Sequence, residues 1–203
     1  FMTDSIKILR IQYENIPLFH DGCFAFSFLA EDRVSDPAQV FQLRKNLYTQ
    51  KLTALVGINA SGKTSVLKLI YLAISIVLAR GSLNTLVYDK SLLRDETKIT
   101  IDFCHGDSCY QLHSIIGKRA SSRSTGTELY FKEEQLFKKP LASIKSKKDV
   151  FCFDQTRLTL QRSQLPKDAL GFLKFDDSIV ISIMMDRQVP AIKSLISYTD
   201  NNS

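Results

Sequence analysis

The chain has no tryptophan, and its 203 residues include only eight glycines, five prolines and three methionines. So little glycine and proline excludes a collagenous or low-complexity chain. No internal repeat is present, which excludes a solenoid. No apolar run reaches the roughly twenty residues that a bilayer-spanning helix needs. The longest, Leu67 to Ala79, is apolar on nearly every face and is expected to be a helix sandwiched between other elements. No membrane role is expected. The four cysteines, Cys23, Cys104, Cys109 and Cys152, are irregularly spaced, and the opening residues do not read as a secretory leader. Reduced thiols in a cytoplasmic protein are therefore the expectation. Phe1 precedes Met2, which is read as the native start.

What is plentiful is ordinary. A hydrophobic content of 44% over this length supports a sizeable core and one domain. Lysine plus arginine total 27 against 21 acids, a net charge of +6, which suits a polyanionic partner such as a nucleotide or a nucleic acid.

The informative stretch is Gly57-Ile58-Asn59-Ala60-Ser61-Gly62-Lys63-Thr64, which matches GxxxxGK[ST] in full. A short apolar run, Leu52 to Val56, precedes it as the expected strand, and a helical pattern follows from Ser65 to Arg80. Strand, glycine loop and helix are the setting of a phosphate-binding loop. Gly57 and Gly62 permit backbone angles at which successive N–H groups of Asn59, Ala60, Ser61 and the residues after them turn toward an anion. Lys63 would reach the β- and γ-phosphates, Thr64 would offer its hydroxyl to Mg²⁺, and Ser65 closes the cradle. The bland alternative is a glycine turn followed by a solvated lysine.

Along the rest of the chain, Ile6, Ile8 and Ile11 mark a strand, and Phe24, Phe26 and Phe28 a second, joined as a hairpin through Asp21-Gly22. Glu31 to Gln50 reads as a loop with a short helical piece. Thr97 to Phe103 and Tyr110 to Ile116 are β-type runs, and Glu128 to Phe131 with Gln135 to Phe137 reads as a hairpin turning at Lys132-Glu133-Glu134. Leu165 to Phe175 is expected to be a helix and Ser178 to Met184 a strand. Cys104, His105, Cys109 and His113 have metal-ligating chemistry, but His113 lies too far along a strand to converge with the others.

Val150-Phe151-Cys152-Phe153-Asp154-Gln155 is an apolar run ending in an acid, which fits a Walker B strand with Asp154 near the metal. Two competing readings stand beside it: the order of elements resembles that of ABC-type ATPases, which implies that Gln155 is a Q-loop sensor of γ-phosphate and Mg²⁺, and the other is a plain buried strand with no nucleotide contact. Asp186 is a further acid at the end of an apolar run, read as facing solvent.

The loop GINASGKTS resembles the P-loops of ABC-type ATPase heads. These include the structural-maintenance-of-chromosomes group and bacterial AAA-family ATP-binding proteins related to the overcoming-lysogenisation-defect group. The strand before Asn15, then Phe19-His20-Asp21-Gly22 and a second strand, is similar too, as is Phe172 to Ile179. The resemblance implies an α/β P-loop fold, an N-terminal lobe with an inserted antiparallel β region. Residues 2–80 would hold the first strands, loop and helix, 81–148 the antiparallel subdomain, and 149–203 a strand, a helix and a terminal strand.

It also implies ATP and Mg²⁺ as ligands, with Lys63 and Gln155 in the chemistry, and a head-to-head homodimer or a partner ATPase half. The LSGGQ-type signature, the Walker B Asp-Glu and the switch histidine of such ATPases are missing. The chain is thus expected to be one lobe of a longer protein, binding nucleotide with little turnover, in a DNA-maintenance or antiphage system. Two other classes stay open: a self-contained P-loop kinase or GTPase, although no NKxD element is present, and a non-catalytic nucleic-acid-binding module. The latter would use Lys118, Arg119 and Arg123 with Lys138, Lys139, Lys145, Lys147 and Lys148.

Overall fold

Alternating apolar residues build the sheet that organises this molecule. The computed structural model describes residues 6–30, 36–51, 53–54, 56, 62–122, 125–165 and 173–180. Strand β1 (Lys7–Glu14) sends Ile11 and Tyr13 into the main core. It pairs on one side with β2 (Phe24–Ser27) and on the other with β5 (Thr97–His105). A register shift between Ile8 and Arg10 accompanies a change of partners, since Leu9 belongs to a second, smaller core. Strands β6 (Ser108–Ala120), β7 (Thr127–Pro140) and β8 (Leu158–Gln161) complete a six-stranded sheet in the order β2-β1-β5-β6-β7-β8.

One face of the sheet, with Ile99, Ile101, Phe103, Leu112, Ile116 and Leu136 fully buried, packs against helix α1 (Lys63–Val77). The helix presents Val66, Leu69, Leu72, Ala73, Ile76 and Val77 to that face, positions three and four apart as a helical stripe requires. A short helix α2 (Leu83–Leu86) follows. The opposite face is half covered by the hairpin β3 (Val40–Arg44) and β4 (Leu47–Gln50) and by residues 141–153. There Leu9, Leu29, Leu43, Leu47, Leu141, Ile144 and Val150 enclose Cys104 and Cys109.

This architecture corrects the α/β expectation. Among the described residues every strand pairing is antiparallel and no parallel sheet forms. The antiparallel region read as an insertion is the body of the fold. Strands β5, β6 and β7 are long and adjacent in sequence, so short turns suffice to pair them, whereas parallel pairing needs a crossover of a dozen residues or more. The run expected to supply the strand before the loop contributes none of the described strands: Thr53, Ala54 and Val56 are unpaired, with Val56 87% exposed. Leu52 and Leu55 lie outside the described residues.

Several local expectations change for identifiable reasons. The hairpin expected around Lys132-Glu133-Glu134 is a single strand, β7, whose register shifts opposite Ile115 and Ile116. Glu134 sits in the core there instead of in a turn, because Arg162 neutralises it. The polar stretch before the loop contains the β3–β4 hairpin after a short 3-10 turn at Pro37–Gln39, which Asp36 caps. Leu165 is followed by no described helix: residues 166–172 lie outside the described set, and Leu173 to Phe175 are not helical. Ser178 to Val180 form a turn, and the remainder of the expected terminal strand, with Asp186, also lies outside.

Candidate phosphate site at the start of the long helix

Of the loop residues, Gly57, Ile58, Asn59, Ala60 and Ser61 lie outside the described set, and Gly62 onward is described. Gly62 is the N-cap of α1 with φ +80° and ψ 9°, a left-handed conformation that residues bearing a Cβ seldom adopt. A Cβ there would also stand 3.2 Å from Leu18 Cδ1, so glycine suits both the angle and the space. The helix starts directly with Lys63, Thr64 and Ser65, and the Val66 N–H donates to Gly62 O at 3.0 Å. Among the described residues no side chain caps this end, and no acid occupies the first turn. The positive end of the helix dipole is thus uncompensated by an acidic side chain from the helix itself. Lys63 and Ser65 are half-buried, and Thr64 is exposed.

The sheet fixes where this end points. The Tyr13 hydroxyl, buried in the core, donates to Leu69 O at 2.7 Å across 56 positions of sequence. Burial pushes the phenol's pKa far above its ordinary value, so it remains a donor. The same helix borders a cavity of about 340 Å³ that begins at Thr64. Leu67, Tyr71, Leu72, Val87 and Tyr88 line it, and the pair Lys68 to Asp89, 3.9 Å apart, also borders it. Neither the cavity nor Tyr13's tie was read from sequence, since both depend on partners distant in the chain.

Gln155 follows Phe153, which packs against the second core. It is exposed in a turn where Asp154 accepts from the Thr156 N–H at 3.0 Å and from its hydroxyl at 2.6 Å. These bonds, aided by Arg157, hold the Asp154 carboxyl below its ordinary pKa. Asp154 therefore serves the turn. The preceding residues form a 3-10 turn, Lys148–Phe151, in place of the expected strand. The Lys139 ammonium collects the carbonyls of Asp149, Val150 and Cys152, and Asp149 accepts from the Lys145 and Ser146 N–H groups, so backbone groups a strand would pair are already engaged. Phe153 packs on the second core, across the sheet from α1. The Walker B reading of this segment is corrected accordingly.

A cluster around Asp102 is internally satisfied, whereas the buried His105 Nδ1 has no hydrogen-bond partner among the described residues. Buried Asp102 accepts from Arg10 Nε at 2.8 Å and Gln111 Nε2 at 2.7 Å, and His113 Nε2 lies 2.8 Å from Gln111 Oε1. Burial lifts the pKa of the Asp102 carboxyl, with Arg10 and Gln111 pulling the other way, and burial lowers that of the His113 imidazole. Arg10 in turn stacks 3.9 Å over the Phe151 ring. This network ties strands together and presents no free nucleophile. Cys104 and Cys109, expected as reduced thiols, are joined in a disulfide across the β5–β6 turn. Among the described residues no group of three or more His, Cys, Asp or Glu could hold a metal ion. No helix among them is long and apolar enough to cross a membrane.

The basic residues grouped by sequence separate in space. Lys118 and Arg119 lie near one end of the β6–β7 ladder, where Lys118 Nζ donates to Lys90 O and Arg119 pairs with Glu128 at 3.4 Å. Lys138 and Lys139 lie at the other end, opposite Tyr110 and Cys109. Arg123 lies outside the described residues. No family profile, characterised protein or solved structure matches the chain.

Proposed function

We propose that the chain binds the phosphates of ATP with Mg²⁺ at residues 57–65 and acts as the nucleotide-binding part of an ATPase. The observation that supports this most is the join of sequence and geometry at Gly62-Lys63-Thr64. The last three specified residues of GxxxxGK[ST] fall where a left-handed glycine opens an uncapped fifteen-residue helix. An anion there meets the backbone N–H groups, the helix dipole and the Lys63 ammonium together. Thr64, exposed on the first turn, is placed to give its hydroxyl to a phosphate-bound Mg²⁺.

Lys63 would bind the β- and γ-phosphates and stabilise charge on a transferred phosphoryl group. Gln155 is given no part in this reading, because its side chain donates to Phe153 O within its own turn. Asp89 borders the same cavity as Thr64, but its carboxylate is held by the Ser91 N–H and hydroxyl and faces Lys68; turnover would need a partner half, as the resemblance to ABC-type ATPases implies. The reading places the chain in the cytoplasm, where ATP is abundant.

Titration of Mg-ATP and Mg-GTP with phosphate release followed in the same samples tests it. Adenine-selective binding with negligible turnover is expected. Robust turnover by the chain alone favours a self-contained enzyme, and no nucleotide binding refutes the proposal.

A further inference from the structure

The lobe that covers the second core is strongly basic. The β3–β4 hairpin leans on residues 28–30, with Ala30 N–H donating to Tyr48 O and Gln50 N–H to Phe28 O. Arg44, at the hairpin's end, donates to the carbonyls of Ala142 and Ile144, which ties the turn bearing Lys45 to the loop bearing Lys145. Lys147 Nζ donates to Ala30 O at 2.6 Å, closing the same lobe from the other side. Leu29, Leu43, Leu47, Leu141, Ile144 and Val150 fill its interior.

Around this frame the cations gather. Residues 36–51 contribute Arg44, Lys45 and Lys51 against one acid, Asp36, whose carboxylate caps the Ala38 N–H at 2.9 Å. Residues 138–149 contribute Lys138, Lys139, Lys145, Lys147 and Lys148 against one acid, Asp149, whose carboxylate accepts from the Lys145 and Ser146 N–H groups. Among the described residues Lys7, Lys45, Lys51, Lys145 and Lys148 form no ion pair with a carboxylate.

The most telling pair is Lys7 and Lys51. Both ammonium groups converge on the Phe41 ring, 3.8 and 4.9 Å from its centroid, and the ring is 42% exposed. Lys51 is further held by Ala38 O at 2.7 Å. Two like charges drawn together on one exposed ring gain from an anion placed beside them. On the rest of the sheet Lys98 is matched by Glu14 and Lys132 by Glu96.

We propose that this lobe binds the phosphate backbone of nucleic acid, without base specificity, through Lys7, Lys45, Lys51, Lys145 and Lys148. Lysine is a point charge on a flexible stem and reads phosphate position, not base identity. Several such contacts spread over one lobe suit a continuous polyanion better than a single free phosphate, because each contact releases a counterion. The inference is independent of ATP binding, since the lobe covers the sheet face opposite α1.

The test uses the whole chain without nucleotide and labelled single-stranded and duplex DNA of about 30 nucleotides, followed by anisotropy at about 50 and 200 mM salt. Binding should fall steeply with salt. The variant Lys45→Ala/Lys145→Ala/Lys148→Ala should bind at least about tenfold more weakly at the lower salt and show a log–log slope shallower by nearly 3. A control, Lys98→Ala/Lys132→Ala, should bind as the parent does, and unchanged melting temperatures establish that the variants are folded. No binding by the parent at low salt overturns the proposal, as does equal weakening in variant and control. Binding to anionic phospholipid vesicles with none to DNA also overturns it, in favour of a lipid surface.

Discussion

Arg162 donates to Glu134 at 2.6 Å across 28 positions of sequence, and the pair is enclosed: the carboxylate side chain is wholly buried and the guanidinium is 10% exposed. Glu134 also accepts from the Ser178 hydroxyl at 2.6 Å and from the Ile179 N–H at 3.1 Å. Arg162 also donates from Nη1 to Asp177 O and from Nη2 to Lys174 O. One residue in the middle of β7 thus fastens residues 174–179 to the sheet.

Removing one partner of this buried pair leaves the other charge uncompensated. Glu134→Leu is expected to cost about 3–5 kcal/mol of stability, measured by urea unfolding. The double variant Glu134→Leu/Arg162→Met should cost less than that single change. A double variant no better than the single would show that the pair is not the unit that matters.

The position of the candidate site depends on the helix being held to β1. Replacing Tyr13 by Phe deletes one buried hydroxyl bond to Leu69 O, a carbonyl that still accepts the helix's own i+4 N–H. A loss of about 1–2 kcal/mol is expected from denaturant midpoints at unchanged m-value. A neutral substitution would mean that apolar packing alone seats the helix.

Sequence patterns revealed the elements whose periodicity is clean. Alternation located β1, β2, β5 and β6, and the continuous apolar run located α1 to within two or three residues, although Leu67 and Tyr71 are exposed where a helix covered on all sides was expected. Polar interruptions hid the rest. Glu133 and Glu134 looked like a turn because the neutralising Arg162 is distant in sequence. The β3–β4 hairpin was masked by Pro37 and its polar neighbours. Val150 to Phe153 has strand composition but is held in a turn by Lys139 and Asp149, which no local pattern discloses. At the candidate site, Gly62, Lys63 and Thr64 were legible from spacing alone, whereas Leu18 and Tyr13 enter from far upstream and were not.

Asp102 gives a pH dependence of definite sign. Burial holds its folded pKa above the ordinary carboxylate value, so between those two values the folded chain binds more protons than the unfolded one. Its contribution to stability is therefore greater at acidic pH and declines as pH rises through the folded value. Asp102→Asn, which removes this titration, should cost most near about pH 4 and least near about pH 7.5. Urea midpoints of both proteins at the two pH values decide it, and a cost that grows with pH would contradict the burial effect.

Cys104 and Cys109 close a hairpin turn with a sequence separation of five, whereas Cys23 and Cys152 are free and exposed. Thiol counting on the urea-denatured, unreduced chain should titrate Cys23 and Cys152 alone, with Cys104 and Cys109 appearing only after reduction. The short loop limits the chain-entropy gain to about 2 kcal/mol, so Cys104→Ser/Cys109→Ser should fold and melt lower. Four reactive thiols before reduction would show the bridge to be open.

Calorimetric titration of Mg-ATP into the chain and into Lys63→Ala bears most directly on the proposed phosphate site. Binding by the parent, weakened at least about tenfold by loss of the Lys63 ammonium while the melting temperature is unchanged, is the expected result. Equal affinity in both proteins, or no heat of binding in the parent, would contradict a phosphate site at Gly62-Lys63-Thr64.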